Sequence, residues 1–251
     1  MASRTEAASA IRAGRVKVDG RHAQKTSTLV APGEPVTIEG PPRPFVSRGG
    51  EKLDAALARF GIDVSGRRCL DAGASTGGFT DCLLRWGAAE VVAVDVGYGQ
   101  LAWTIRTDPR VTVLERTNVR HLTVGDLPFR PDLIAVDLSF ISLSAALPSL
   151  AEIADPSGDV VTLVKPQFEA GRADVGKGGV VRDPAVWRRV LLEVMEVSRA
   201  TGLAPRTVMA SPLLGPAGNA EFLLHAVPGG PEAELDVEGA IRDAEVLRAA
   251  S

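Results

Sequence analysis

No apolar run in the chain approaches the ~18 residues needed to cross a bilayer as a helix. The N-terminus, MASRTEAASAIRAGR, lacks the charged-then-apolar design of a secretory signal. These two absences point to a cytoplasmic protein with no membrane association. Cysteine is scarce: Cys69 and Cys82 stand in apolar context, so buried, reduced thiols are expected rather than a disulfide framework. The three histidines are scattered and suggest no metal site. Internal repeats and low-complexity runs are also missing. What remains is an ordinary globular composition of 251 residues, 45% hydrophobic and 24% charged. That length suits one large domain, or a medium domain with a small one.

The net charge of −3 hides an asymmetry. Residues 1–52 carry nine Lys and Arg against five Asp and Glu, and the rest of the chain is left at −7. A basic N-terminal part on an acidic body fits a nucleic-acid partner at that end, although a solvated basic face would look the same. Residues 1–40 read as a compact α+β module. A short helix from about Glu6 to Arg12 is closed by Gly14. VKVDG then gives a strand and an Asp-Gly turn, and EPVTIEG a further strand. PPRP opens a stiff linker over 41–48. From 49 to 251 a larger domain follows. It begins with a helix whose apolar residues, Leu53, Ala56, Leu57 and Phe60, recur at helical spacing before Gly61.

Strands and helices then alternate. RRCLDAG, EVVAVDVG, VTVLER, PDLIAVDLS, DVVTLVKP, TVMASPL and AEFLLHAV read as strands. GFTDCLLRWG, YGQLAWTIR, SLSAALPSLAEIA and DPAVWRRVLLEVMEVSRATG read as the helices between them, and LDVEGAIRDAEVLRAA as a terminal one. This pattern predicts an α/β fold with a doubly wound, mostly parallel sheet. The last two strands are close enough in sequence to form a hairpin, which would reverse an edge.

The Gly-rich turn after the first of these strands has glycines at 73, 77 and 78. This is neither G-x-G-x-x-G nor a P-loop, so a dinucleotide or a triphosphate is disfavoured. Asp71 precedes the turn. A carboxylate there would repel a pyrophosphate but suits a cofactor with a cationic centre, such as S-adenosyl-L-methionine. Asp95 ends the next strand, where ribose hydroxyls are commonly held. Asp137 and Lys165 end two later strands and would point into the same crevice. Glu221 opens an apolar strand and needs a partner. A purely structural ion pair is the competing reading of Lys165 with one carboxylate. Lys52 stands in the first turn of a helix, where the dipole mildly disfavours it.

DAGASTGGF, VDVGYGQL, LERTN, VDLSFISL, LVKPQFE, GKGGVVRDP and GNAEFLL together resemble the TlyA family of hemolysin-type ribosomal RNA 2′-O-methyltransferases, related to the FtsJ group. The resemblance runs from about Ser3 to Val227. It implies a Rossmann-like methyltransferase fold, S-adenosyl-L-methionine as methyl donor and an N-terminal S4 RNA-binding module. It further implies a ribosomal RNA or ribosomal-subunit substrate, with a cytidine ribose as acceptor. The family's catalytic tetrad carries over to Lys52, Asp137, Lys165 and Glu221. Lys165 would orient or deprotonate the 2′-hydroxyl, Asp137 would orient Lys165, and Glu221 would hold the lysines. Backbone groups of Gly73, Ala74 and Ser75 would line the methionine part of the cofactor, Gly77, Gly78 and Phe79 would close the floor, and Asp71 and Thr76 would belong to the same cofactor site. Asp95 would bind its ribose, and Thr117 and Asn118 would flank its adenine. RNA contacts would come from Arg4, Arg12, Arg15, Lys17, Arg21 and Lys25, with Arg43 and Arg48 in the linker. Two departures stand out. The linker reads Arg43-Pro44-Phe45-Val46, with Phe where the family more usually has Trp. The S4 module starts at what resembles its second helix, so it reads as truncated or as following a misassigned start. That departure keeps a small-molecule methyltransferase as the alternative. A membrane-active hemolysin, the other reading the family's name offers, finds no strongly amphipathic cationic helix.

Overall fold

The computed structural model describes residues 4–12, 14–40, 44–231 and 233–250. Arg43 lies outside the described residues. In the N-terminal part, α1 (Arg4–Arg12) is followed by β1 (Val16–Val18), β2 (Arg21–His22) and β3 (Val36–Ile38), which pair in the order β2-β1-β3. Both pairings are antiparallel. The β1–β2 hairpin turns on Asp19 and Gly20, with φ of 48° and 75°. Two consecutive left-handed residues are what a primed two-residue turn requires, and Asp-Gly supplies them at low cost.

The remaining elements build a three-layer α/β structure. They are α2 (Arg48–Phe60), β4 (Arg68–Ala72), α3 (Gly78–Arg85), β5 (Glu90–Val94), α4 (Trp103–Arg106), β6 (Val111–Leu114), β7 (Leu133–Val136), α5 (Leu143–Ile153), β8 (Asp159–Val164), α6 (Pro166–Glu169), α7 (Pro184–Ala200), β9 (Leu203–Ala210), β10 (Phe222–Pro228) and α8 (Val237–Ala249). Seven strands form one sheet in the order β6-β5-β4-β7-β8-β10-β9. The first five are parallel, and β10 runs antiparallel to both β8 and β9. The reversed hairpin expected from sequence is therefore present.

Alternation along the strands divides the core into two layers. Leu70, Val92, Val94, Ile134, Val136 and Val160 face the side covered by α5, α7 and α8. Cys69, Val91, Ala93, Leu133, Ala135 and Val161 face the side covered by α2, α3 and α4. Parallel strands covered on both faces account for the near-continuous apolar runs in the sequence.

One local expectation is corrected. The helix expected over YGQLAWTIR is only Trp103–Arg106, because residues 97–102 follow an irregular path fixed by distant partners. Gly99 N donates to Glu115 and Ala102 N to the Thr76 carbonyl. Pro166 occupies the first position of α6, where its missing N–H costs nothing.

Candidate active site

The crevice lies outside the carboxyl ends of the parallel strands and has a volume of about 560 Å³. This is within the usual range for small-ligand sites. Its floor depends on Gly73, at φ 95°. A Cβ there would stand 2.3 Å from the carbonyl oxygen of Asp137, so only glycine lets the turn after β4 touch the end of β7. Asp95 ties the next turn to it, its carboxylate accepting from Ser75 N at 2.7 Å and Gly97 N at 2.6 Å. Val94, Val96, Val119, Leu138 and Ile141 form an apolar slot. Gln100, Thr117, Asn118, Arg120 and Asp137 add polar groups around it.

Gly73, Ser75, Asp95, Thr117, Asn118 and Asp137 thus reach the crevice as expected. Asp71, Ala74, Thr76, Gly77, Gly78 and Phe79 do not line it. Asp71 is fully buried beneath the turn, where one oxygen accepts from both the backbone N and the hydroxyl of Thr80. It secures the start of α3 rather than facing a ligand. Burial pushes its carboxyl up to about 7, aided by the charges of Asp137 and Asp95 and opposed by the Thr80 hydrogen bonds. Gly78 serves close packing: a Cβ on it would meet Ser47 Oγ at 2.1 Å. Phe79 belongs to the buried core between α2 and α3. Sequence reasoning missed Val96, Gln100, Val119, Arg120, Leu138, Ser139, Phe140 and Ile141. The stretch LSFI directly after Asp137 was the available signal, because chain following a strand-end carboxylate must edge the same crevice.

Beside the crevice stand two lysine–carboxylate pairs. Lys165 Nζ lies 2.5 Å from Asp137 Oδ1 and donates to Ser139 Oγ at 3.1 Å. Lys52 pairs with Glu221, and both are at least 90% buried. The topology explains the grouping. β7, β8 and β10 are neighbours, and Phe222 pairs with Val164. One step further along that register sets Glu221 opposite Lys165. Lys52 arrives from the first turn of α2. All four expected residues therefore gather at one end of the sheet. Buried pairs of this kind cost desolvation and are weak stabilisers, so their presence here argues for a task other than stability.

The basic residues divide. Arg12, Arg21 and Lys25 are exposed. Lys17 is paired with Glu39 at 2.5 Å, and Arg15 donates to the Glu39 carbonyl at 2.8 Å. Arg4 opens α1. Arg48 is not a free linker residue: it starts α2 and donates to the Leu214 carbonyl at 2.5 Å. The described end of the linker is likewise anchored. Phe45 is buried, and Val46 N donates to Asp81 at 2.8 Å.

A carboxylate on the β5 end, an apolar slot and a second carboxylate at the crevice edge suit a nucleoside carrying a cationic centre. Fold and crevice define an S-adenosylmethionine-dependent methyltransferase of Rossmann-like architecture. Comparison with known proteins agrees: residues 45–227 match the FtsJ-like methyltransferase model and residues 1–36 the S4 domain model. The 16S/23S rRNA (cytidine-2′-O)-methyltransferase TlyA of Mycobacterium tuberculosis is 54% identical over 223 residues, covering 88% of this chain and 83% of that protein. YqxC of Bacillus subtilis, named as a candidate rRNA methyltransferase, is 46% identical over 89% of this chain and 80% of its own length. A solved structure described as a candidate hemolysin from Streptococcus thermophilus superposes with a TM-score of 0.84 at 37% identity, covering 100% of this chain and 93% of that one. The chain belongs to the FtsJ-like methyltransferase family, within its TlyA group and with an S4 domain at the N-terminus. Among the described residues no helix is long and apolar enough to cross a membrane.

Proposed function

We propose that this protein methylates the 2′-hydroxyl of a cytidine in ribosomal RNA, within a ribosomal subunit in the cytoplasm. The observation that carries the reading is the Asp137–Lys165 pair at the edge of the crevice, backed by the buried Lys52–Glu221 pair. S-adenosylmethionine, when bound, supplies an electrophilic methyl group on its sulfonium. Asp95 would accept from the ribose hydroxyls of that cofactor, Thr117 and Asn118 would flank its adenine, and the backbone at Gly73 and Ser75 would hold its methionine end.

A 2′-hydroxyl is a weak nucleophile, so positioning and proton removal carry much of the rate. Lys165 would orient that hydroxyl or, as a neutral amine, take its proton as the methyl passes from sulfur to oxygen. Asp137 and Ser139 aim the Lys165 amine, and the Lys52–Glu221 pair closes the far side of the site. Residues 1–40 form the RNA-binding module, 41–47 the linker and 48–251 the catalytic domain, with Arg12, Arg21 and Lys25 meeting RNA phosphates. The S4 match favours RNA over a small-molecule acceptor.

Radiolabelled methyl transfer to unmodified small and large subunits tests the proposal. Lys165→Ala is expected to lose transfer while keeping its affinity for S-adenosylhomocysteine in titration calorimetry. Normal turnover by that variant sinks the assignment.

A further inference from the structure

The segment from Lys165 to Glu169 grips the loop after β7 at four points. Lys165 pairs with Asp137 and donates to Ser139. The Phe168 ring packs on Phe140 with centroids 5.1 Å apart. Glu169 accepts from Ser142 Oγ at 2.7 Å and from Leu143 N at 2.9 Å, which caps the start of α5 from another element. The gripped loop carries Asp137 and the crevice residues Leu138 to Ile141. It is also strained. Phe140 has φ 64° and is 91% exposed. A bulky residue in that region is strained and persists only where its surroundings over-determine it.

We infer that Glu169 is a positioning residue for methyl transfer, its carboxylate latching the far end of the 137–142 loop so that Asp137 and Ser139 stay registered on Lys165. Neither of its hydrogen-bond partners belongs to the catalytic pairs, and Glu169 itself does not line the crevice. Its influence therefore passes through the loop. Both the cofactor wall and the Lys165 partners lie on the one strained segment, so release of the latch disturbs cofactor affinity and turnover together. Burial raises the Glu169 carboxyl above its ordinary range, with Glu193 adding to the effect and the two hydrogen bonds opposing it. This placement is one the fold maintains against a desolvation cost.

The inference rests on the methyl-transfer reading of the Asp137–Lys165 pair. The cofactor wall, however, can be read without any RNA. Glu169→Ala, Glu169→Gln and Glu169→Asp are compared by S-adenosylhomocysteine titration, by kcat and KM on ribosomal subunits, and by melting temperature. Gln spans the same distance, accepting from Leu143 N and donating to the Ser142 hydroxyl, so near-wild-type values are expected. Ala and the shorter Asp are expected to weaken S-adenosylhomocysteine binding severalfold. They are also expected to lower kcat by about 10- to 100-fold with little change in the KM for RNA, the scale of loss that small misplacements of reacting groups produce. Wild-type kcat and affinity in Glu169→Ala, with only the melting temperature lowered, would show a purely structural role and overturn the inference. If Glu169→Ala does not fold, the Gln and Asp variants decide: Asp performing as well as Gln overturns it. Altered S-adenosylhomocysteine affinity with no RNA methylation by any form, wild type included, would instead count against the proposed function.

Discussion

Asp71 shows how far a single side chain can depart from what its position in the sequence suggests. A carboxylate before a Gly-rich turn reads as a ligand-facing charge, yet burial sets it under the turn with Thr80. Its pKa of about 7 lies well above the ~4 of an unfolded aspartate. Between those values the native protein holds a proton that the unfolded chain releases. The stabilisation is complete below about pH 4 and is lost as pH rises through about 7. Asp71→Asn cannot release that proton. The wild type is expected to lose melting temperature between about pH 5 and pH 8, and Asp71→Asn to lose much less over the same span. Equal slopes in differential scanning calorimetry would refute the assignment of that loss to Asp71.

Among the elements, α7 and β10 depend on each other. Trp187 is 1% exposed on α7, tilts against Phe222 with centroids 6.1 Å apart, and donates from Nε1 to the Val181 carbonyl at 3.1 Å. Phe222 follows Glu221 directly, so this contact also seats the Glu221 carboxylate. Trp187→Ala is expected to cost about 3–5 kcal/mol of unfolding free energy by denaturant titration, as large-to-small core changes do. Elements of this size were legible in the sequence because apolar periodicity and strand-end punctuation are local signals. The seven strands, the final hairpin and the convergence of Asp137 and Lys165 followed from them, whereas Glu221 was expected only to need a partner and joined the group through family resemblance. α6 escaped because four residues are too few to show a period. The bend over residues 97–102 escaped because hydrogen bonds from it run to Glu115 and Thr76, partners that no local pattern reveals. The pairing of Lys52 with Glu221 spans 169 residues and was suggested only through family resemblance.

Across the whole molecule the charge is divided by function. The N-terminal 52 residues are net positive and the remainder net negative. RNA affinity is therefore expected to fall steeply with added salt, through counterion release, while S-adenosylhomocysteine affinity changes little. Arg21→Glu with Lys25→Glu, both on exposed sites of the N-terminal part, should weaken subunit binding in filter assays and flatten its salt dependence. Cofactor affinity should be unaffected. RNA binding unchanged by the double reversal would move the RNA-contacting surface elsewhere.

The strand order also sets a timetable for the nascent chain. The crevice-lining residues end at Ile141, so everything that shapes the cofactor site is synthesised well before Glu221. β9 is made next but has only β10 as its neighbour in the sheet, and β10 must insert between it and β8. Until that last strand emerges from the ribosome, β8 remains an unclosed edge and Lys52 an unpaired cation. On the proposed roles of Lys52 and Glu221, catalytic competence is expected to arrive only with that strand and not to grow in gradually with length.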